Sequence, residues 1–483
     1  MSNTLNQLQP TTIWKYFSQL NAVPRASKKE AQVIQFMKLF GENLGLETIV
    51  DETGNVLIKK PATAGMEAKP TIILQAHLDM VHQKNAATDF DFATQGIEMY
   101  VDGDWVKAKG TTLGADNGIG VAAMMTVLAA NDLVHPAIEA IFTIDEEIGM
   151  TGAMGLKKDF LTGSVLLNLD SEEDDILTIG SAGGVDLLIE GSYKLKVLKA
   201  NYTFFQISIK GLTGGHSGVD IHRGGSNAIK LLNRVLFELD KEYGIRISSL
   251  NGGDKTSAIP RACDAIIAIK NTTIASFQKQ VGEWTKLLQE ENSFSDPSLT
   301  IELKKLQKST AVLSKKFQSK LLASLYTCPY GIYRMTPALN HLVQSSNNLG
   351  RIKVEKGIVN IGCFTRSFIE SERTDLVNLI KNSFSPIKAK ITEVDPFPSW
   401  TPAPDTATLS NIKNIYSTLF GQAPKIDAIH AGLECGILSE TYPHLEIVSF
   451  GPNIKGAHSP DEALQISSTQ KFWRYLTTVL EEL

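Results

Sequence analysis

The residues able to do chemistry in this chain sit where apolar runs end. Thr71-Ile72-Ile73-Leu74-Gln75-Ala76 leads into His77-Leu78-Asp79, and Ile141-Phe142-Thr143-Ile144 into Asp145-Glu146-Glu147-Ile148-Gly149. Ser164-Val165-Leu166-Leu167-Asn168-Leu169 leads into Asp170. Three adjacent carboxylates repel one another and need either solvent or a cation. Asp116 lies between glycines in Leu113-Gly114-Ala115-Asp116-Asn117-Gly118, where the backbone can approach closely; taken alone it reads equally as a helix N-cap. His458 follows in Gly456-Ala457-His458-Ser459-Pro460. Two imidazoles and three carboxylates (His77, Asp116, Glu147, Asp170, His458) suit zinc, with manganese or cobalt as substitutes, and are too rich in imidazole for calcium. Three carboxylates neutralise much of the charge of two divalent ions if one bridges, and Asp116 is the natural bridge. Two such ions about 3.5–4 Å apart activate water and polarise a carbonyl. At the turn Glu146-Glu147, one neighbour would ligate metal (Glu147) while the other meets the water as general base (Glu146). Residues i and i+2 of an extended chain share a face, so Asp79 would orient the His77 imidazole. His82 has no matching partner and reads as a surface or supporting residue.

The elements that must hold these groups are buried strands, because the runs are short and mostly aliphatic or β-branched. In open α/β sheets the ligand site lies at the carboxyl ends of strands, which would bring the three run-ends together. A capping-box pattern at Ser27-Lys28-Lys29-Glu30 predicts a helix to Gly45, with a strand pair, 48–50 and 56–58, around Glu52-Thr53-Gly54-Asn55. From about Gly191 the texture changes. Tyr202 to Lys210 alternates as a half-buried strand, a Gly-rich loop runs from Gly211 to Gly218, and an amphipathic helix spans 226–242. This block reads as a separate α+β region, large enough for an internal duplication although no repeat is visible. Asp395-Pro396-Phe397-Pro398-Ser399-Trp400-Thr401-Pro402-Ala403-Pro404 reads as a stiff connector. The expected organisation is one α/β domain in two parts, 1–188 and 395–483, interrupted by an α+β domain at 189–394. A second capping-box helix is expected from Ser467.

A length of 483 residues argues for more than one core. A net charge of −5 with interspersed signs gives no footprint for nucleic acid or an anionic membrane. No apolar run approaches the roughly 18 residues that span a bilayer, and the start has no leader pattern. Four scattered cysteines with no Cys-x-x-Cys pair fit a reducing cytoplasm, the expected location.

Gln75-Ala76-His77-Leu78-Asp79-Met80, Leu113 to Gly118, Asp145-Glu146-Glu147, Leu169-Asp170 and Gly456-Ala457-His458-Ser459 resemble, in order and across nearly the whole chain, the co-catalytic zinc peptidases that include carnosinases, aminoacylases and glutamate-type carboxypeptidases. The resemblance implies a catalytic domain with a mixed sheet flanked by helices, split by an inserted lid. It implies His77 and Asp170 on one zinc, Glu147 and His458 on the other, Asp116 bridging, and often a cis peptide after Asp116. It further implies that His216 holds the substrate carbonyl and developing oxyanion, and that Arg366 grips the substrate carboxylate. Gly432 and Glu434 would line the pocket for the substrate's amino end. The implied activity is hydrolysis of dipeptides with a free N-terminus, Xaa-His and β-alanyl-histidine among them, with a homodimer formed through the lid. An aminotripeptidase or N-acyl-amino-acid deacylase keeps the same ligands and stays as the alternative. A non-catalytic metal-binding homologue is the rival of another class, against which Glu146 counts. One departure is Ser257, where relatives carry Asn before Ala258-Ile259-Pro260-Arg261; a hydroxyl offers one donor and an amide two.

Overall fold

In the computed structural model, which describes residues 5–198, 201–306, 311–337, 339 and 341–483, the apolar runs become neighbouring strands. Ile138–Thr143, Ile72–His77, Val165–Asn168 and Glu446–Ser449 lie side by side and mutually parallel. They form the centre of an eight-stranded mixed sheet. Strands buried on both faces carry no polar alternation, which is why the runs are mostly apolar; the polar Gln75 and Asn168 within them hydrogen-bond to each other. The antiparallel pair Glu47–Val50 and Val56–Lys60 flanks them on one side. The helix Ala115–Ala129 is buried almost all round. Its Val121 and Met125 join the sheet core with Leu74 and Phe142, while Ile119 and Ala122 join a second cluster with Trp14 and Phe17 of the helix Thr11–Asn21. A helix packed on two sides has no solvent face, so its sequence is Ala-, Val- and Met-rich with little amphipathic contrast. A small four-stranded sheet carries the hairpin Ile454–Lys455 and Ala463–Gln465, from whose loop His458 projects.

The chain divides into two compact units. The first comprises Met1–Gly180, Pro402–Ala428 and Leu433–Leu483, and the second Ser181–Thr401 with Ile429–Gly432. The second unit contains a duplication that its residues conceal. Tyr202–Lys210, helix Ala228–Tyr243, Arg246–Gly252, Cys263–Lys270, helix Ile274–Glu291 and Thr300–Leu306 make one βαββαβ module with spatial strand order 4-1-3-2. Gly183–Ser192, helix Lys315–Thr327, Val343–Glu355, Ile358–Ser367, helix Glu370–Phe384 and Lys390–Phe397 make another with the same order. The two join where their second strands pair antiparallel, Leu250 opposite Val354. The first module is threaded between the first strand and first helix of the second.

Three boundaries differ from the expectation. The first unit ends at 180 rather than 188, because Gly183–Ser192 is a strand of the second unit, paired along its length with Ile358–Ser367. The return lies at 401/402 rather than 394/395. Phe397 still pairs with Gly184 past a register shift that accommodates Pro396, and Ser181 and Trp400 exchange two backbone hydrogen bonds of 2.9 Å. Ile429–Gly432 belongs with the second unit, where the Ala182 N–H donates to Ile429 O at 3.1 Å. Both capping boxes are also replaced. The helix after Ser27 is Ala31–Asn43, with Ser27 engaged elsewhere; the last helix is Ile466–Glu482, with the Ser467 N–H donating to Asp104 at 3.0 Å. No helix among the described residues is long and apolar enough to cross a membrane.

Candidate metal centre

Three strand ends and two loops converge in the first unit. His77 ends the central strand, and the segments after Thr143 and Asn168 arrive on either side of it. Asp116 sits at a kink at the start of the helix Ala115–Ala129, with a cis peptide to Asn117. Asn117 Nδ2 donates to Leu169 O at 2.8 Å and to the Asp170 carboxylate. One Asp116 oxygen lies 3.1 Å from His77 Nε2, and the other lies 3.0 Å from His458 Nε2. Asp170 Oδ1 is 3.4 Å from His77 Nε2, and Glu147 Oε2 is 2.9 Å from His458 Nε2. Asp116 therefore faces both imidazoles, each of which has a second carboxylate of its own. Three groups, His77/Asp116/Asp170, His77/Glu146/Glu147 and Asp116/Glu147/His458, each hold their donor atoms within 4.8 Å of one another.

The triplet Asp145-Glu146-Glu147 is divided by its backbone. Asp145 adopts a left-handed conformation (φ 58°), and its buried carboxylate turns aside to Lys28 and to Thr151 Oγ1. Glu146 and Glu147 remain at the centre. Asp79 ties them there, accepting from the Glu146 N–H at 3.0 Å and the Glu147 N–H at 3.3 Å. Ser27 Oγ donates to the same carboxylate at 2.7 Å, the use that displaces its capping role. His77 Nδ1 is 3.1 Å from Asp79 O and 3.4 Å from its carboxylate, so Asp79 holds both the ring and the turn. His82 is stacked on Phe92, with ring centroids 4.1 Å apart, and burial takes its pKa down to about 4; it joins none of the three groups.

The electrostatics are those of an anionic cluster short of positive charge. Burial works to lower the His77 pKa, but Asp170, Asp116 and Asp79 outweigh it and hold it well above the ordinary value. Hydrogen bonds accepted by Asp116 and Glu147 raise His458 to about 11. Burial drives Glu146 well above the usual carboxylate range, opposed by the His77 charge and reinforced by Asp170, Glu147 and Glu434. Burial likewise raises Asp170 to about 6. Among the described residues, the buried Glu147 Oε1 has no hydrogen-bond partner. Four carboxylates around two imidazoles, with a buried oxygen left over, fit divalent cations by donor chemistry and by charge. Glu434 opens the helix Glu434–Thr441 in the same unit. Its Oε2 accepts from Gln75 Nε2 at 2.6 Å and Thr143 Oγ1 at 2.5 Å, Oε1 has no partner among the described residues, and burial raises its pKa to about 8.

The second unit gathers a different set. His216 Nδ1 accepts from the Val219 N–H at 3.1 Å and the Gly218 N–H at 3.3 Å, which leaves the proton of the neutral ring on Nε2. Arg366 Nη2 lies 3.4 Å from that Nε2, so two donors stand side by side. The guanidinium stacks on Phe364 at 4.2 Å, its buried Nε has no hydrogen-bond partner among the described residues, and burial takes its pKa to about 9. Gly432 belongs to the short segment lent to this unit, as does His430, which residue types alone did not single out. His430 Nε2 is 2.7 Å from Ser346 Oγ, and burial, with Arg366 and His216 nearby, pushes its pKa to about 3. A neutral imidazole beside an arginine carries no periodicity in sequence that would reveal it. Ser257 is held by its backbone, whose carbonyl accepts from the Ser217 N–H at 2.8 Å. Asn348 Nδ2 donates to Thr256 O and Ala258 O on either side, each at 2.8 Å.

The model of peptidase family M20/M25/M40 matches residues 73–482. The chain is 37% identical over 479 residues to the cytosol non-specific dipeptidase of Escherichia coli, covering 99% of each. The crystal structure of an aminoacylhistidine dipeptidase from Vibrio alginolyticus superposes with a TM-score of 0.91 at 38% identity, over 100% of this chain and 98% of that one. An aminopeptidase from Bacillus cereus shares the fold at a TM-score of 0.57 and 17% identity, over 98% and 99% of the two chains.

Proposed function

The chain belongs to peptidase family M20/M25/M40, and from that premise we propose a dipeptidase that cleaves dipeptides with a free N-terminus, aminoacyl-histidine substrates and β-alanyl-histidine among them. The observation that carries this reading is the match to the E. coli dipeptidase along 99% of both chains. His77 and Asp170 would hold one divalent ion, Glu147 and His458 a second, and Asp116 both; zinc is the assignment the donor set favours. Bound there, the ions would supply an activated water and a polarised carbonyl. Glu146, with its carboxyl raised by burial, is suited to take a proton from water and pass it to the leaving nitrogen. Asp79 fixes the turn that aims it. The paired donors of His216 and Arg366 suit the developing oxyanion and the substrate's carboxylate, and the spare oxygen of Glu434, with Gly432, suits its ammonium.

The second unit would act as the lid. Association of two chains through it is a companion proposal; a sedimentation mass of twice 52.7 kDa would support it and a single-chain mass would overturn it. The name of the E. coli relative places that protein in the cytosol, and we extend the location to this one. The deciding experiment is turnover of Ala-His, N-acetyl-Ala-His and Ala-Ala-His by zinc-loaded protein. Hydrolysis of the free dipeptide alone supports the proposal. Preference for the acetylated substrate would reassign the chain as a deacylase, and for the longer one as an aminotripeptidase.

A further inference from the structure

We propose that Glu462 is a positioning residue for the metal centre, clamping the backbone that carries Asp116 so that its carboxylate is aimed before any ion arrives. The inference rests on the two-ion reading above. Glu462 Oε2 accepts from the Leu113 N–H at 2.7 Å and the Gly114 N–H at 2.9 Å; Oε1 accepts from the Ala115 N–H at 2.7 Å and the Asp116 N–H at 3.3 Å. Four consecutive amides pointing at one place form a concave anion site, the kind a helix N-terminus offers to phosphates. Here it is filled from within, by a carboxylate only 2% exposed. The concavity needs Gly114 in the left-handed conformation, with φ 69°. A Cβ there would also lie 2.4 Å from Arg25 Nη2.

Arg25 grips the other side of the same loop. It is 1% exposed and donates to Gly114 O, and at 3.0 Å to Leu78 O, Asp79 O and Asn21 Oδ1. Glu462 thus holds the amides of the Asp116 loop while Arg25 ties one of its carbonyls to the strand end that carries His77. Glu462 also closes the loop that presents His458, since residues 456–462 span from Lys455 to its partner Ala463. One short loop therefore supplies a ligand to one side of the centre and fixes the shared ligand. Placing a second carboxylate next to Asp116 is unfavourable in charge, and four amide hydrogen bonds offset it.

Metal-free wild-type protein, Glu462→Gln and Glu462→Ala would each be titrated with Co²⁺, reading the visible absorption of the bound ion and the number of ions retained on dialysis. Glutamine keeps the shape but has one acceptor where four amides need two, and its NH₂ faces donors. The expected result is Co²⁺ binding weakened by about 10- to 100-fold in Glu462→Gln, with an altered spectrum and unchanged near-ultraviolet circular dichroism of the metal-free form. Formate should partly restore binding to Glu462→Ala and do nothing for His458→Ala. Wild-type affinity and spectrum in Glu462→Gln would overturn the clamp alone; wild-type protein that holds fewer than two ions would overturn the two-ion reading instead. Hydrogen exchange on metal-free wild type tests the same point even if the variants fail to fold. The amides of residues 113–116 should already be protected, and protection that appears only with Co²⁺ would assign the ordering to the ion.

Discussion

With one Asp116 oxygen facing His77 and the other facing His458, a single carboxylate links the two halves of the centre. Both imidazoles are held as cations by surrounding carboxylates, His458 up to about pH 11. A metal ligand must be neutral imidazole, so loading ions at pH 7 has to expel those protons. Calorimetric titration with Zn²⁺ in buffers of differing ionisation enthalpy should therefore show proton release, and apparent affinity should rise with pH through the neutral range. The linkage has a second consequence. A histidine raised on folding contributes stability that is full below its unfolded value, about 6.5, and is lost as pH rises through the folded one. The melting temperature of metal-free protein should fall between about pH 6.5 and 11 more steeply than that of His458→Ala. For Glu146→Gln the expected loss in kcat is about 10²–10⁴-fold with ions still bound, read by steady-state kinetics and metal analysis. Retained turnover would remove Glu146 from the role of base.

At the scale of elements, the site depends on where turns hand the chain from strand to strand. Asn227 caps the helix Ala228–Tyr243, accepting from the Ile229 N–H at 3.0 Å and the Lys230 N–H at 3.2 Å. Its Nδ2 also donates to Leu349 O at 2.9 Å, which ties one module of the second unit to the strand of the other. Asn227→Ala should cost about 0.5–2 kcal/mol for the cap, with the lost link to Leu349 in addition, measured by denaturant unfolding. The Gly-rich loop shows why Gly218 is needed. A Cβ on it would lie 2.1 Å from His430 O and 3.0 Å from Arg366 Nε. Gly218→Ala should displace His216 and Arg366 together, raising KM for dipeptides while leaving the Co²⁺ spectrum of the first unit as it was. An altered spectrum with unchanged KM would contradict that division.

Across the whole molecule, all five candidate ligands belong to the first unit, although the chain leaves that unit for more than 200 residues before His458 returns to it. Ions that bind only the folded first unit should stabilise it selectively. At a free concentration 100 times Kd the gain is about 2.7 kcal/mol. Calorimetric scans of chelated and Zn²⁺-loaded protein should then differ in the transition assigned to the first unit, with that of the second unmoved. The duplicated modules of the second unit place an edge-to-edge strand joint inside one chain. That joint makes the sedimentation mass informative about whether a partner chain is needed at all.

Strand-like runs and the titratable groups at their ends were legible in the sequence, because burial on both faces and charge at a strand end leave local marks in residue type. The insertion was legible as a change of texture, and the family as motifs in order. The duplication was not, since two modules sharing only a strand order need share no residues. Ser27 matched a capping box by spacing, yet its hydroxyl went to Asp79, 52 residues away, where a buried carboxylate needed a donor. The proline-rich stretch read as a linker, but a register shift let it stay in the sheet. Arg25, His430 and Glu462 escaped the sequence for a common reason. Each acts on partners distant in the chain, Glu462 on amides nearly 350 residues before it, and a backbone amide has no side chain to announce that it is bound. Local sequence determined which groups were available and how each run would fold; tertiary packing decided which of them meet, because a hydrogen bond depends on distance in space and not along the chain.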